Sequence, residues 1–165
     1  MFRGAVVVMG VASCGKTTLG EALAAHFDVP FVEGDKLHSP TSVAKMSAGI
    51  PLTDEDRWPW LGRVGDALAG DTACIASCSA LKRSYRDAIR AHAKRDVAFV
   101  SLHGTRELLA ARIAGRKGHF MPASLLDSQL KTLEIPDVDE TSVTIDIALI
   151  PAKQLEEAIA FLVGG

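Results

Sequence analysis

Short apolar runs alternate with segments of helical period from one end of the chain to the other, the pattern of a parallel sheet wrapped by helices, an α/β fold. Ala5 to Met9 reads as the first strand, and Lys16 to Phe27 as a helix with Leu19, Ala22 and Leu23 on one face. Phe31 to Glu33 is a short second strand ended by Gly34-Asp35. From Ser39 to Asp56 the period is broken by Pro40, Gly49 and Pro51, with a short helix around Val43 to Ser47, and Asp54 is expected to cap a further helix reaching toward Leu68. Residues 73 to 77 make a third strand, Leu81 to Lys94 a helix, and Val97 to Leu102 a fourth strand. Thr105 then caps a helix carrying Leu109, Ile113 and Arg116 at helical spacing. The stretch GRKGHFMP, residues 115 to 122, interrupts it with two glycines, a proline and a basic cluster, and reads as a mobile turn. Leu126, Leu130 and Leu133 mark another helix, Ser142 to Ile150 a fifth strand, and Leu155, Ala158, Ile159 and Leu162 the apolar face of a last helix. With no internal repeat and no linker, the five strands are expected to form one sheet in one domain spanning residues 1–165.

Composition narrows the partners. The chain has 165 residues, 48% of them hydrophobic and 23% charged, enough for one well-buried core hiding roughly 70% of the unfolded surface. A net charge of −2 provides no basic field of the kind non-specific nucleic-acid binding draws on, so a small polar substrate is expected rather than a polymer. The first apolar run breaks at Gly10, too early for a signal-peptide core or a membrane span, and the expected location is the cytoplasm. Cys14, Cys74 and Cys78 are odd in number and lack zinc-ligand spacing, which favours packing over chemistry.

The chemistry begins at Gly10-Val11-Ala12-Ser13-Cys14-Gly15-Lys16-Thr17-Thr18. It satisfies GxxxxGK[ST] in the required context, a strand before and a helix after. Glycines let the backbone curl so that successive N–H groups point at phosphate oxygens, and the helix N-terminus adds partial positive charge. Lys16 is placed to reach the outer phosphates and the Thr17 hydroxyl to ligate Mg²⁺, so the loop predicts a nucleoside triphosphate with magnesium. The residues from Val100 on, VSLHGTRE, lack the base-reading motif of a GTPase, and the third strand ends Ala76-Ser77-Cys78-Ser79 where a motor-like ATPase carries an acid. Transfer of a phosphoryl group to a small molecule is therefore favoured, over a regulatory module whose ATP occupancy switches partner binding.

Asp35 follows the second strand and so lies at the carboxyl edge of the sheet, across from the phosphate loop, where a carboxylate can accept a hydroxyl proton, position the hydroxyl or help hold the metal. His38 is a candidate polyol contact, and Arg57, in TDEDRWPWL, a candidate clamp for a substrate carboxylate as against a plain ion pair. CSALKRSYRDAIR, residues 78 to 90, carries several cations of which one or two are expected to reach the site. Arg112 and Arg116, four apart, are expected to share a helix face beneath the glycine-rich turn and to neutralise charge on the transferred group.

Together these segments resemble the P-loop gluconate kinases, on GVASCGKTT at 10–18, FVEGDKLH at 31–38, KMSAGIPLTDEDRWPWL at 45–61, CSALKRSYRDAIR at 78–90 and RKGHFMPASLLDSQLKTLEIP at 116–136. The resemblance implies a fold shared with shikimate and nucleoside monophosphate kinases, a helical lid at about 116–136, ATP-dependent phosphorylation of D-gluconate at its 6-hydroxyl, and a homodimer. It casts Lys16, Asp35 and Arg116 as catalytic, Asp35, His38, Arg57, Ser79, Arg83 and His119 as sugar-acid contacts, and Arg112 and Arg116 as phosphate-facing. Family loops more often read Gly-x-Ser/Cys-Gly-Ser-Gly-Lys, and the departures are placed at Ala12 and Cys14, with a stiffer, functional loop expected if position 12 needs no positive φ. The family's His-Pro and following Asn are here His38-Ser39-Pro40 and Ser42.

Overall fold

The protein is described by a computed structural model over residues 1–116 and 123–165. Its strands are β1 (Ala5–Met9), β2 (Phe31–Glu33), β3 (Cys74–Ser77), β4 (Val97–His103) and β5 (Ser142–Asp146), all parallel in the order β2-β3-β1-β4-β5. The helices are α1 (Lys16–Phe27), α2 (Pro40–Ser47), α3 (Asp54–Ala67), α4 (Arg83–Ala93), α5 (Arg106–Ala114), α6 (Ala123–Thr132) and α7 (Pro151–Gly164).

The two-residue alternation of β1 divides the core. Ala5, Val7 and Met9 pack with Trp60, Leu61 and Val64 of α3 and Tyr85 and Ile89 of α4 on one face. Val6 and Val8 pack on the other with Leu19 and Leu23 of α1, Leu109 of α5, Leu126 of α6 and Ala158 of α7. Every β1 side chain is buried, which explains the unbroken apolar run of a central parallel strand. Among the described residues no helix is long and apolar enough to cross a membrane.

Several boundaries differ from the sequence expectation for local reasons. α2 starts at Pro40, three residues before Val43, because the Ser39 hydroxyl accepts the Ser42 N–H and proline fits the first helical turn. Thr53, not Asp54, caps α3: its hydroxyl accepts the Asp56 N–H while the Asp56 carboxylate accepts the Thr53 N–H. α4 begins at Arg83, since Ala80 sits at φ 44° and Lys82 is extended. β5 ends at Asp146, whose carboxylate accepts the Ala148 N–H and turns the chain before Ile150. The expected turn at 115–122 lies, from Lys117 to Pro122, outside the described residues.

Candidate functional site

The chain leaves β1 at Gly10, where φ is 146° and a side-chain carbon would stand 2.7 Å from both the Cys14 sulfur and the Leu102 carbonyl oxygen, so only glycine fits. Cys14 and Val11 turn their side chains into the core and offer the loop only backbone. All three cysteines are buried thiols, and burial pushes Cys78 up to about 12, in keeping with packing rather than reactivity. Ser13 at φ 63° and Gly15 at φ 99° are the left-handed positions that fold the loop over the start of α1. Position 12 is not among them. Aligned from Gly10 to Lys16, the family's missing glycine therefore falls at Ser13, one residue after the expected departure, and there a serine carries the strained conformation.

The Lys16 ammonium donates to the Gly10 and Val11 carbonyls at 3.1 and 3.0 Å, which holds its charge across the loop mouth against neutral acceptors. Two contacts that sequence reading missed come from the far side of the cleft. The Ala12 N–H donates to Gln129 Oε1 of α6 at 2.8 Å, and Arg116 donates to the Ser13 hydroxyl at 3.0 Å.

Thr17, the expected metal-binding hydroxyl, donates to Glu33 Oε2 at 2.6 Å, and Ser77 donates to Glu33 Oε1 at 2.5 Å while accepting the Gly34 N–H at 3.2 Å. Gly34 makes this meeting of β2 and β3 feasible, because a side-chain carbon there would lie 1.9 Å from the Ser77 carbonyl oxygen. Glu33 was overlooked in the sequence. Its signal was a carboxylate at the carboxyl end of a strand, two residues before Asp35. Thr17 and Glu33 offer hard oxygen donors of the kind magnesium takes alongside phosphate oxygens and water. Among the described residues no group of three or more His, Cys, Asp or Glu side chains could hold a metal ion by itself.

A cleft of about 370 Å³ joins this loop to the acceptor side: Ser13, Lys16 and Arg116 line it together with Asp35, His38, Arg57 and Ser79. The turn bearing Asp35 and His38 is fixed by α3. Trp60 donates to the Gly34 carbonyl at 2.8 Å and stacks on His38 with centroids 3.9 Å apart, and Arg63 donates to the Leu37 carbonyl at 2.7 Å. Burial lowers the His38 pKa; Asp35 opposes this and the Arg63 and Arg57 charges reinforce it, so the imidazole is neutral near pH 7. Among the described residues no group hydrogen-bonds the buried His38 Nδ1, and His38 lines the acceptor cleft.

Other expectations are corrected. Arg83 does not line the cleft: it forms a two-pronged pair with Asp139 at 2.7 and 2.8 Å and also meets Asp87 at 3.8 Å. Arg86 and Arg90 are bound to Glu140, so the expected arrival of one or two of the α4 cations at the site fails for these three arginines. Arg112 and Arg116 do not share a helix face, because α5 ends at Ala114. Arg112 instead donates to the Ile147 carbonyl at 2.6 Å and lines a second cleft of about 330 Å³ with Gly15, Thr18, Pro151 and Gln154. His119 lies outside the described residues.

Residues 6–136 match a family model described as an AAA domain. The chain is 48% identical over 159 residues to the gluconokinase of Gluconobacter oxydans (strain 621H), covering 93% of this chain and 88% of that one. It is 45% identical over 147 residues to the thermosensitive gluconokinase of Escherichia coli (strain K12), covering 86% and 78%. The crystal structure of a gluconokinase from Sinorhizobium meliloti 1021 superposes with a TM-score of 0.93 at 52% identity, over 99% of this chain and 93% of that one. With this degree of identity over nearly all of each chain, and the phosphate loop and acceptor cleft in place on the same sheet, the protein belongs to the gluconokinase family of P-loop kinases.

Proposed function

We infer that the protein transfers the γ-phosphoryl group of ATP to the 6-hydroxyl of D-gluconate, giving 6-phospho-D-gluconate and ADP. The observation that carries this reading is that one cleft presents Lys16 of the phosphate loop and, with it, Asp35, His38 and Arg57. Phosphoryl transfer asks the protein chiefly for positioning and for stabilisation of spread negative charge. Loop amides and the α1 N-terminus cradle the phosphates, and the Lys16 ammonium turns from the Gly10 and Val11 carbonyls to the outer phosphate oxygens. Thr17 and Glu33 would hold Mg²⁺, which when bound neutralises charge between the terminal phosphates. Asp35 accepts a hydrogen bond from the attacking hydroxyl and orients it; since a loose transition state needs little deprotonation, positioning is its main task. Arg57 faces the carboxylate at the other end of the sugar acid, while His38 and Ser79 bond its hydroxyls. Arg116 approaches from the lid side, and the second cleft, with Arg112 and Thr18, receives the nucleoside. On this reading the enzyme is one kinase domain over residues 1–165 with a lid at 116–136, working as a homodimer in the cytoplasm, without nucleic-acid or membrane partners.

The test is ADP release with gluconate, shikimate, nucleoside monophosphates or water as acceptor. Gluconate is expected to stimulate strongly and the others weakly; a rate with gluconate no higher than the water blank overturns the reading. Lys16→Ala is expected to lower kcat on the order of 10³-fold, whereas a nucleotide-dependent switch would lose only partner association.

A further inference from the structure

We propose that Tyr85 and Asp54 form a positioning pair that aims Arg57 at the carboxylate of the acceptor and so helps the site select an acid over a neutral polyol. This rests on the reading in which Arg57 meets the sugar-acid carboxylate. Arg57, in the first turns of α3, lines the acceptor cleft with its side chain 21% exposed. Its Nη1 donates to the Tyr85 hydroxyl at 3.0 Å, and that hydroxyl donates onward to Asp54 Oδ1 at 2.5 Å. The direct approach of Arg57 to Asp54 is longer, 3.7 Å. Bond direction in this chain is fixed by chemistry: guanidinium only donates, carboxylate only accepts, and the phenol has one hydrogen to give.

The interposed phenol has two consequences. A carboxylate gripping Arg57 side-on would fill the two-pronged face that recognises a ligand carboxylate. The hydroxyl takes one N–H of five and still holds the guanidinium in place. The group is also left with a positive balance. Lys82 Nζ lies 3.6 Å from Asp54 Oδ2, so two cations share one carboxylate, and both sit over the Tyr85 ring, at 5.3 Å for Arg57 and 5.5 Å for Lys82. One ligand carboxylate would neutralise the remainder. The phenol cannot swing away, since its ring is buried in the α3–α4 core with Trp58 edge-on at 5.6 Å. Burial and the hydrogen bond to Asp54 raise the Tyr85 pKa to about 12, and the Tyr85 hydrogen bond in turn lowers that of Asp54, so the relay keeps one protonation state through the neutral range.

Tyr85→Phe keeps the ring and removes only the hydroxyl. Steady-state kinetics on the purified full chain should show KM for gluconate raised about tenfold, the worth of one charge-assisted hydrogen bond, with kcat and KM for ATP within about twofold. Asp54→Asn should do the same, and the double variant should cost no more than either alone. The inhibition constant of a neutral six-carbon polyol should not change. Equal losses in gluconate KM, ATP KM and kcat with a lowered melting temperature would mark Tyr85 as merely structural and overturn the proposal. Arg57→Lys separates the two ideas. If it raises gluconate KM while Tyr85→Phe and Asp54→Asn do not, the pairing is overturned and the role of Arg57 stands; if it leaves gluconate KM unchanged, both fall.

Discussion

Replacing Glu140 by glutamine should remove a large share of this protein's stability, and by an amount that depends on pH in a calculable way. Glu140 follows α6 where the chain crosses α4, and its side chain is 1% exposed. Its carboxylate accepts from Arg86 Nε at 2.7 Å, Arg86 Nη2 at 3.1 Å, Arg90 Nη2 at 2.6 Å and the Asp137 N–H at 2.9 Å. Burial alone would raise its pKa, but these hydrogen bonds outweigh burial and hold it at about 2, against an ordinary value of 4.5. A folded-state pKa lowered by that much corresponds to about 3 kcal/mol at neutral pH, fully present above the unfolded pKa and lost as pH falls from about 4.5 toward 2. A separate route gives a similar size: uncovering the fully buried Arg86 guanidinium by removing its counter-charge costs about 3–5 kcal/mol. For a domain of this length about 3 kcal/mol lowers the melting temperature by about 6–12 °C. Urea unfolding of wild type and Glu140→Gln at pH 7 and pH 3 measures it. The gap should be about 3 kcal/mol at pH 7 and shrink by about 2 kcal/mol at pH 3, where the wild-type advantage is partly titrated away. A gap below about 1 kcal/mol at pH 7, or one equal at both pH values, would refute the reasoning.

Two further predictions concern the phosphate loop. Glu33→Gln should raise the Mg²⁺ concentration giving half-maximal activity by about tenfold or more, with the melting temperature little changed; an unaltered Mg²⁺ dependence would remove Glu33 from the metal site. Because φ is positive at Ser13 and not at Ala12, Ser13→Gly should leave chemical stability unchanged or up to about 1 kcal/mol higher, while Ala12→Gly should lower it by about 0.5–1 kcal/mol; the reverse ranking in chemical denaturation would contradict the loop geometry.

What the sequence by itself determined about this protein is what local physics encodes. The alternation of apolar runs and helical periods placed each strand and helix on the correct stretch of chain, and GVASCGKTT between a strand and a helix specified a phosphate cradle before any packing was known. Errors there were of a residue or a few and arose from caps and turns, as at Ser39, Thr53 and Asp146. Asp35 and His38 were legible as site candidates because they follow β2 at the carboxyl edge of the sheet, and Arg57 because a guanidinium suits a substrate carboxylate; the cleft brings the three together. The tertiary structure alone decided which charges are free and which are spoken for. Arg83 looks in sequence like any other cation of its helix, yet Asp139, 56 positions away, claims it; Arg112 is claimed by the Ile147 carbonyl, 35 positions away. Glu33 gains meaning only when it meets Thr17 and Ser77, 16 and 44 positions away, across a strand contact that Gly34 allows. Period and motif act over a few residues and can be read along the chain. The partner of a charge is set by which strands and helices pack side by side, and no local pattern carries that.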